Sequence, residues 1–134
     1  MNDKKETLNR YALNEVNDLS PEYKEEAFPT RLKGYCTFLS VEINDVIMAY
    51  LCMDIVPGTA FLHLNILPEH RSYSTVMQCK SVFYELVHPW CRSKGCEAVV
   101  VSCEATDVKT TELFKTFDFN PQTINIATMR IRED

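Results

Sequence analysis

Apolar side chains change their period along this chain, and each change marks an element. Residues 1–30 are polar, with isolated apolar positions at Leu8, Tyr11, Leu13, Val16 and Leu19. Their roughly helical spacing predicts a helix over 5–17, and Ser20-Pro21 is the start signal of a second over 21–27, ended by Pro29. From Tyr35 the period falls to two, the repeat of a strand with one buried face. Tyr35 to Asn44, Val46 to Val56 and Ala60 to Leu67 read as three strands, joined by tight turns at Asn44-Asp45 and Pro57-Gly58. They form an antiparallel meander. Over 75–94 the steps become three and four, which sets Val76, Cys79, Val82, Phe83, Leu86, Val87 and Trp90 on one helix face. Pro89 kinks or shortens the last turn, and Lys94-Gly95 supplies a cationic end and a cap. Residues 97–103 carry the apolar run of a strand with a parallel neighbour. A helix over about 107–117 and a strand over about 123–131 close the chain.

The third strand, the long helix and the strand at 97–103 make a β-α-β unit, whose crossover is right-handed. The predicted class is therefore α/β (α+β), one domain over 1–134 with a mixed, mostly antiparallel sheet. The join between strand and helix, Asn65 to Val76, falls at the carboxyl end of a sheet strand, where open α/β sheets bind ligands. Its backbone N–H groups converge on the positive end of a helix dipole, and Arg71 stands at the edge with a forked pair of donors. Such a cradle suits a pyrophosphate, although it contains no glycine.

Bulk properties narrow the partners. A net charge of −5 and a pI near 5.2 argue against a non-specific nucleic-acid or membrane-surface role. No apolar run approaches the roughly 20 residues of a membrane span, and the start Met1 to Glu6 is too polar for a secretory signal, so a cytoplasmic protein is expected. The six cysteines form no CxxC pair, and Cys36, Cys52, Cys79 and Cys103 fall on apolar faces. They read as reduced thiols filling core space, with no metal. A nucleotide-binding domain would need a Gly-rich or P-loop, which the chain lacks.

The run Ile66-Leu67-Pro68-Glu69-His70-Arg71-Ser72-Tyr73-Ser74-Thr75-Val76 resembles the signature V-x-P-x-x-(Q/R)-x-x-G-x-G/A of the GCN5-related N-acetyltransferase (GNAT) superfamily. Ile66, Pro68 and Arg71 fit, while Ser74 and Val76 stand where two small residues belong. The hairpin 38–50 is similar to the family's second and third strands, and Leu113 to Phe119 to its Leu-Tyr-x-x-x-Gly-Phe run. The resemblance covers about 35–131. It implies a GNAT-like fold with a V-shaped opening between the strands at 60–67 and 97–103. It also implies an acyl-CoA co-substrate, most simply acetyl-CoA, with its pantetheine arm near Asn65, Ile66 and Leu67. The pyrophosphate would then lie on Arg71, Ser72, Tyr73, Ser74, Thr75 and Val76.

The reaction so implied is attack of a neutral amine on the thioester, without a metal. The acceptor is a small-molecule or protein amine, and the acidic surface mildly favours a cationic one. A homodimer is compatible with this reading. Three departures bear on it: Ser74 and Val76 carry side chains at the cradle, Phe114 replaces a proton-donating tyrosine, and Asp118 replaces a glycine.

Candidate catalytic residues are His63 as general base, Glu104 as a base or acceptor ligand, and Tyr73 as a replacement acid or cofactor cover. The plain alternatives are a histidine with a backbone partner, a solvated loop carboxylate and an exposed loop tyrosine. Tyr84, with Lys80 and His88, reads as a polar helix face. A GNAT-like module without catalysis, acting through a protein partner, is the rival function.

Overall fold

The computed structural model describes residues 9–29, 31 and 36–101. By internal contacts the chain divides into two compact units, Met1–Ser102 and Cys103–Asp134, and every described residue lies in the first. The helix expected at 107–117 and the strand at 123–131 lie outside the described residues, as do Cys103, Glu104, Phe114 and Asp118.

Strand β1 (Tyr11–Glu15) comes first, then helix α1 (Pro21–Ala27), β2 (Cys36–Ile43), β3 (Val46–Val56) and β4 (Thr59–Ile66). A 3-10 turn (Pro68–His70) leads into α2 (Tyr73–Val82), which continues through a π turn (Phe83–Val87) into α3 (His88–Ser93), and β5 (Ala98–Val101) follows. The five strands form one sheet in the order β1-β2-β3-β4-β5, all antiparallel except β4 with β5. That pairing runs from Thr59↔Ala98 to Leu62↔Val101, so the predicted β-α-β unit is present. Among the described residues no helix is long and apolar enough to cross a membrane.

The predicted helix over 5–17 is not formed at 11–15, where the chain is strand β1. Tyr11 and Leu13 sit opposite Ile43 and Val41, so pairing with the edge of β2 overrides a weak helical spacing. The hairpin turn is as expected: Asn44 and Asp45 take φ of 52° and 67°, the left-handed pair of a two-residue loop, and both types tolerate it. The long helix starts at Tyr73, two residues before the expected point. Pro89 does not simply kink its end. The preceding turn widens, His88 N–H bonds the Phe83 carbonyl, and the chain re-enters α geometry at His88. A proline ring clashes with the carbonyl four residues back, so a wider turn ahead of it relieves that crowding.

Strand register sorts the sheet into two faces. Leu39, Val41, Leu51, Met53 and Ala60 share one face and are all buried. Ser40, Tyr50, Cys52, Asp54, His63 and Asn65 share the other. On this second face lies α1: Tyr23 packs edge-on against Tyr50, and Phe28, fully buried, against Phe38. Ser20 caps α1 by accepting from Tyr23 N–H at 3.2 Å.

Candidate functional site

The strand-to-helix join is built by three successive local devices. Leu67 N–H still pairs with the Met48 carbonyl at 3.0 Å, extending the sheet one residue past β4. Pro68 then sets a single 3-10 turn, closed by His70 N–H to the Leu67 carbonyl and Arg71 N–H to the Pro68 carbonyl. Ser72, in extended geometry, caps α2. Its Oγ accepts from Thr75 N–H at 3.1 Å and its carbonyl accepts from Val76 N–H at 3.1 Å.

This arrangement narrows the expected cradle. Of the N–H groups from Arg71 to Val76, those of Arg71, Thr75 and Val76 are already bonded within the chain. The N–H groups of Ser72, Tyr73 and Ser74 have no protein partner among the described residues, and they stand at the positive end of α2. Ser74 and Tyr73 are exposed there, while Thr75 is buried and Val76 half-buried. Arg71 is turned back on the strand it follows: Nε donates to the Ile66 carbonyl at 2.8 Å and Nη2 to Asn65 Oδ1 at 3.2 Å. So of the two residues expected along a pantetheine arm, Ile66 has its carbonyl in use and Leu67 has both its N–H and its carbonyl in use.

A row of polar side chains leads from this join across the α1 face. Asn65 Nδ2 donates to Tyr23 Oη at 2.6 Å, linking Arg71 to α1 through one amide. Burial pushes the Tyr23 hydroxyl up from its usual value, against the lowering effect of the Asn65 bond. Two residues back along β4, His63 Nε2 lies 2.9 Å from Asp54 Oδ2. The carboxylate is 2% exposed and the histidine 19%. An ionised carboxylate can only accept, so it holds a proton on His63 Nε2, and in the neutral imidazole this leaves the lone pair on Nδ1. That is the form of histidine able to take a proton.

All of the sequence-predicted site residues but Glu104, which lies outside the described residues, belong to one stretch of chain. Asn65, Ile66, Leu67, Arg71 and Ser72 to Val76 come together at one join, with His63 on the same strand. Tyr73 stands 79% exposed at the start of α2. Asp54 and Tyr23 escape the sequence reading. Tyr84 is exposed on the helix, and its ring packs against Phe83. A surface hollow lined by His88, Cys91, Arg92 and Cys96 lies beside α3 and β5, beyond the far end of the helix from Ser72.

This order of elements and this join can be compared with known proteins. No family model matches the chain, and no curated protein sequence matches it. Solved structures do. Aminoglycoside 6'-N-acetyltransferase AAC(6')-Iy, solved with a CoA-linked bisubstrate analogue, superposes with a TM-score of 0.59 at 14% identity, covering 92% of this chain and 99% of its own. The AAC(6')-Ih enzyme of Acinetobacter baumannii gives 0.60 at 13% identity over 91% and 99%. A Bacillus subtilis acetyltransferase in complex with CoA gives 0.66 at 9% identity over 85% and 79%. The chain has the GNAT fold. The Ser72-capped start of α2, with its three open N–H groups, follows the end of β4, and His63 stands on the α1 face of that same strand.

Proposed function

We propose that this protein is an N-acyltransferase that moves an acyl group, most simply acetyl, from acyl-CoA to an amine. The observation that supports it is the open trio of N–H groups at Ser72, Tyr73 and Ser74 at the carboxyl end of β4, in a fold shared with acetyltransferases solved with CoA. These groups and the α2 dipole receive the pyrophosphate, and Ser74 adds a hydroxyl where a glycine would offer only backbone. Arg71 exchanges its bond to Asn65 for a phosphate oxygen while staying anchored on the Ile66 carbonyl.

On the α1 face His63 Nδ1 takes the proton of the amine, directly or through water, and Asp54 holds the ring and steadies the imidazolium that results. The amine nitrogen then forms the C–N bond as the C–S bond breaks. Tyr73 or solvent returns a proton to the departing thiolate. The acidic chain and the aminoglycoside substrates named for two structural relatives favour a small cationic amine as acceptor.

The engaged side chain of Arg71 favours one rival, a GNAT-like module that binds a protein partner without catalysis, because the arginine is already satisfied by its own strand. A screen of small amines with acetyl-CoA, read by mass spectrometry of the acylated product, separates the two. Turnover that falls roughly 100-fold or more in His63→Ala, the scale of a general base, supports the enzyme. An absence of product across polyamines, aminoglycosides and lysine peptides supports the module.

A further inference from the structure

We infer that Cys36, Cys52 and Asp54 form a binding site for one thiophilic divalent cation, of which Zn2+ is the natural occupant. The site is set by strand register alone. Cys36 lies directly opposite Asp54 across β2 and β3, and Cys52 precedes Asp54 by two residues, so all three project from the α1 face. The two sulfur atoms and a carboxylate oxygen all lie within 4.8 Å of one another, and Cys52 Sγ is 3.8 Å from Asp54 Oδ1. A sulfur held about 2.3 Å and an oxygen held about 2.0–2.2 Å from a tetrahedral zinc stand roughly 3.5–3.7 Å apart, so the sulfur–oxygen edge is close to the required length.

The surroundings fit a cation as well. Cys52 and Asp54 are buried, while Cys36 is half-buried and gives an entry path. Among the described residues, His63 Nε2 holds Asp54 Oδ2 at 2.9 Å and the Cys52 thiol faces Oδ1. That is the pattern of a ligand oriented by an outer hydrogen bond. Two thiolates, one carboxylate and a dication sum to −1, and the Arg31 guanidinium, ion-paired to Glu25, interacts electrostatically with both cysteines. Burial, and then the charge of Cys36 and Asp54, push the Cys52 thiol well up when no cation is present. A bound metal reverses that balance by stabilising the thiolate. Three protein ligands leave a fourth position for water. The ion pins β2 to β3 and fixes the carboxylate beneath His63. The inference is independent of the acyltransferase reading.

The test uses the whole chain, reduced and stripped of metal, titrated with Co2+ as a spectroscopic probe and then displaced by Zn2+. One equivalent should bind with a thiolate-to-cobalt charge-transfer band. The band should vanish in Cys36→Ser and in Asp54→Asn and persist in Cys96→Ser. In the unsubstituted protein, Zn2+ should also protect Cys36 from alkylation, a readout that needs no variant to fold. A wild-type protein without the band, a band that survives in both ligand variants, or alkylation of Cys36 unchanged by Zn2+ would overturn the site.

Discussion

One face of the sheet presents Leu39, Val41, Leu51, Met53 and Ala60, and the other presents Ser40, Cys52, Asp54, His63 and Asn65. The same three strands supply both. On the apolar face stability follows from removing side chains from water, at roughly 1.5–3 kcal/mol for each large one. On the polar face burial is a cost that each group offsets with a named partner: Ser40 with the Asn14 carbonyl, Asp54 with His63, Asn65 with Tyr23 and Arg71. A face that only had to be covered would not hold a carboxylate at 2% exposure. The proposed acyl transfer places its chemistry on the α1 side.

Substitutions on the two faces should therefore differ in kind. The largest loss is expected from Met53→Ala, which opens a cavity in the apolar face and should lower unfolding free energy by about 2–5 kcal/mol in urea titrations, with little change in ligand affinity for whatever protein remains folded. Asp54→Ala should cost about 1–3 kcal/mol, because His63 loses its buried partner, and should remove most turnover. If turnover survived, the polar face would be mere packing.

Two smaller effects sharpen the picture. Burial pushes the thiols of Cys79 and Cys91 up to about 11 from an ordinary 9.0. The folded state thus keeps protons that the unfolded state releases. That stability is complete below about pH 9 and is lost as pH rises towards about 11, so thermal midpoints should fall across this window. A midpoint flat to pH 11 would contradict the burial of these thiols. Ser72→Ala removes the cap of α2 and should cost about 1 kcal/mol, and it should also loosen the trio of N–H groups that the cap aligns.

The meander was legible because its evidence is local: period two, a two-residue Asn-Asp loop and a Pro-Gly turn. The site at 65–76 was legible as a place, since a strand, a proline and a helix start adjoin there. Its details were less so. Ser72 and Ser74 are both serines near a helix start, and which one caps is decided by where the Pro68–His70 turn leaves the chain. Strand β1 is not legible from local periodicity because its partners lie 24–32 residues away in β2, which a local window does not contain. Asp54 breaks the apolar run Val46–Val56, a signal that the period-two pattern alone does not tie to a site. The two-residue loop at Pro57-Gly58 pairs Val56 with Thr59, and counting outward sets His63 opposite Cys52, on the face of Asp54. That pairing is implicit in the loop length and the strand period.

The central claim is that the glycine-free join at Ser72–Ser74 still receives an acyl-CoA. Calorimetric titration of the purified protein with acetyl-CoA, beside Arg71→Ala, tests it most directly. The account predicts a 1:1 complex in the micromolar range, weakened about tenfold or more in the variant, the scale of a lost charge-assisted phosphate contact. No heat of binding up to roughly millimolar acetyl-CoA, a bound state worth only about −4 kcal/mol, would contradict it and leave a GNAT fold kept for another purpose.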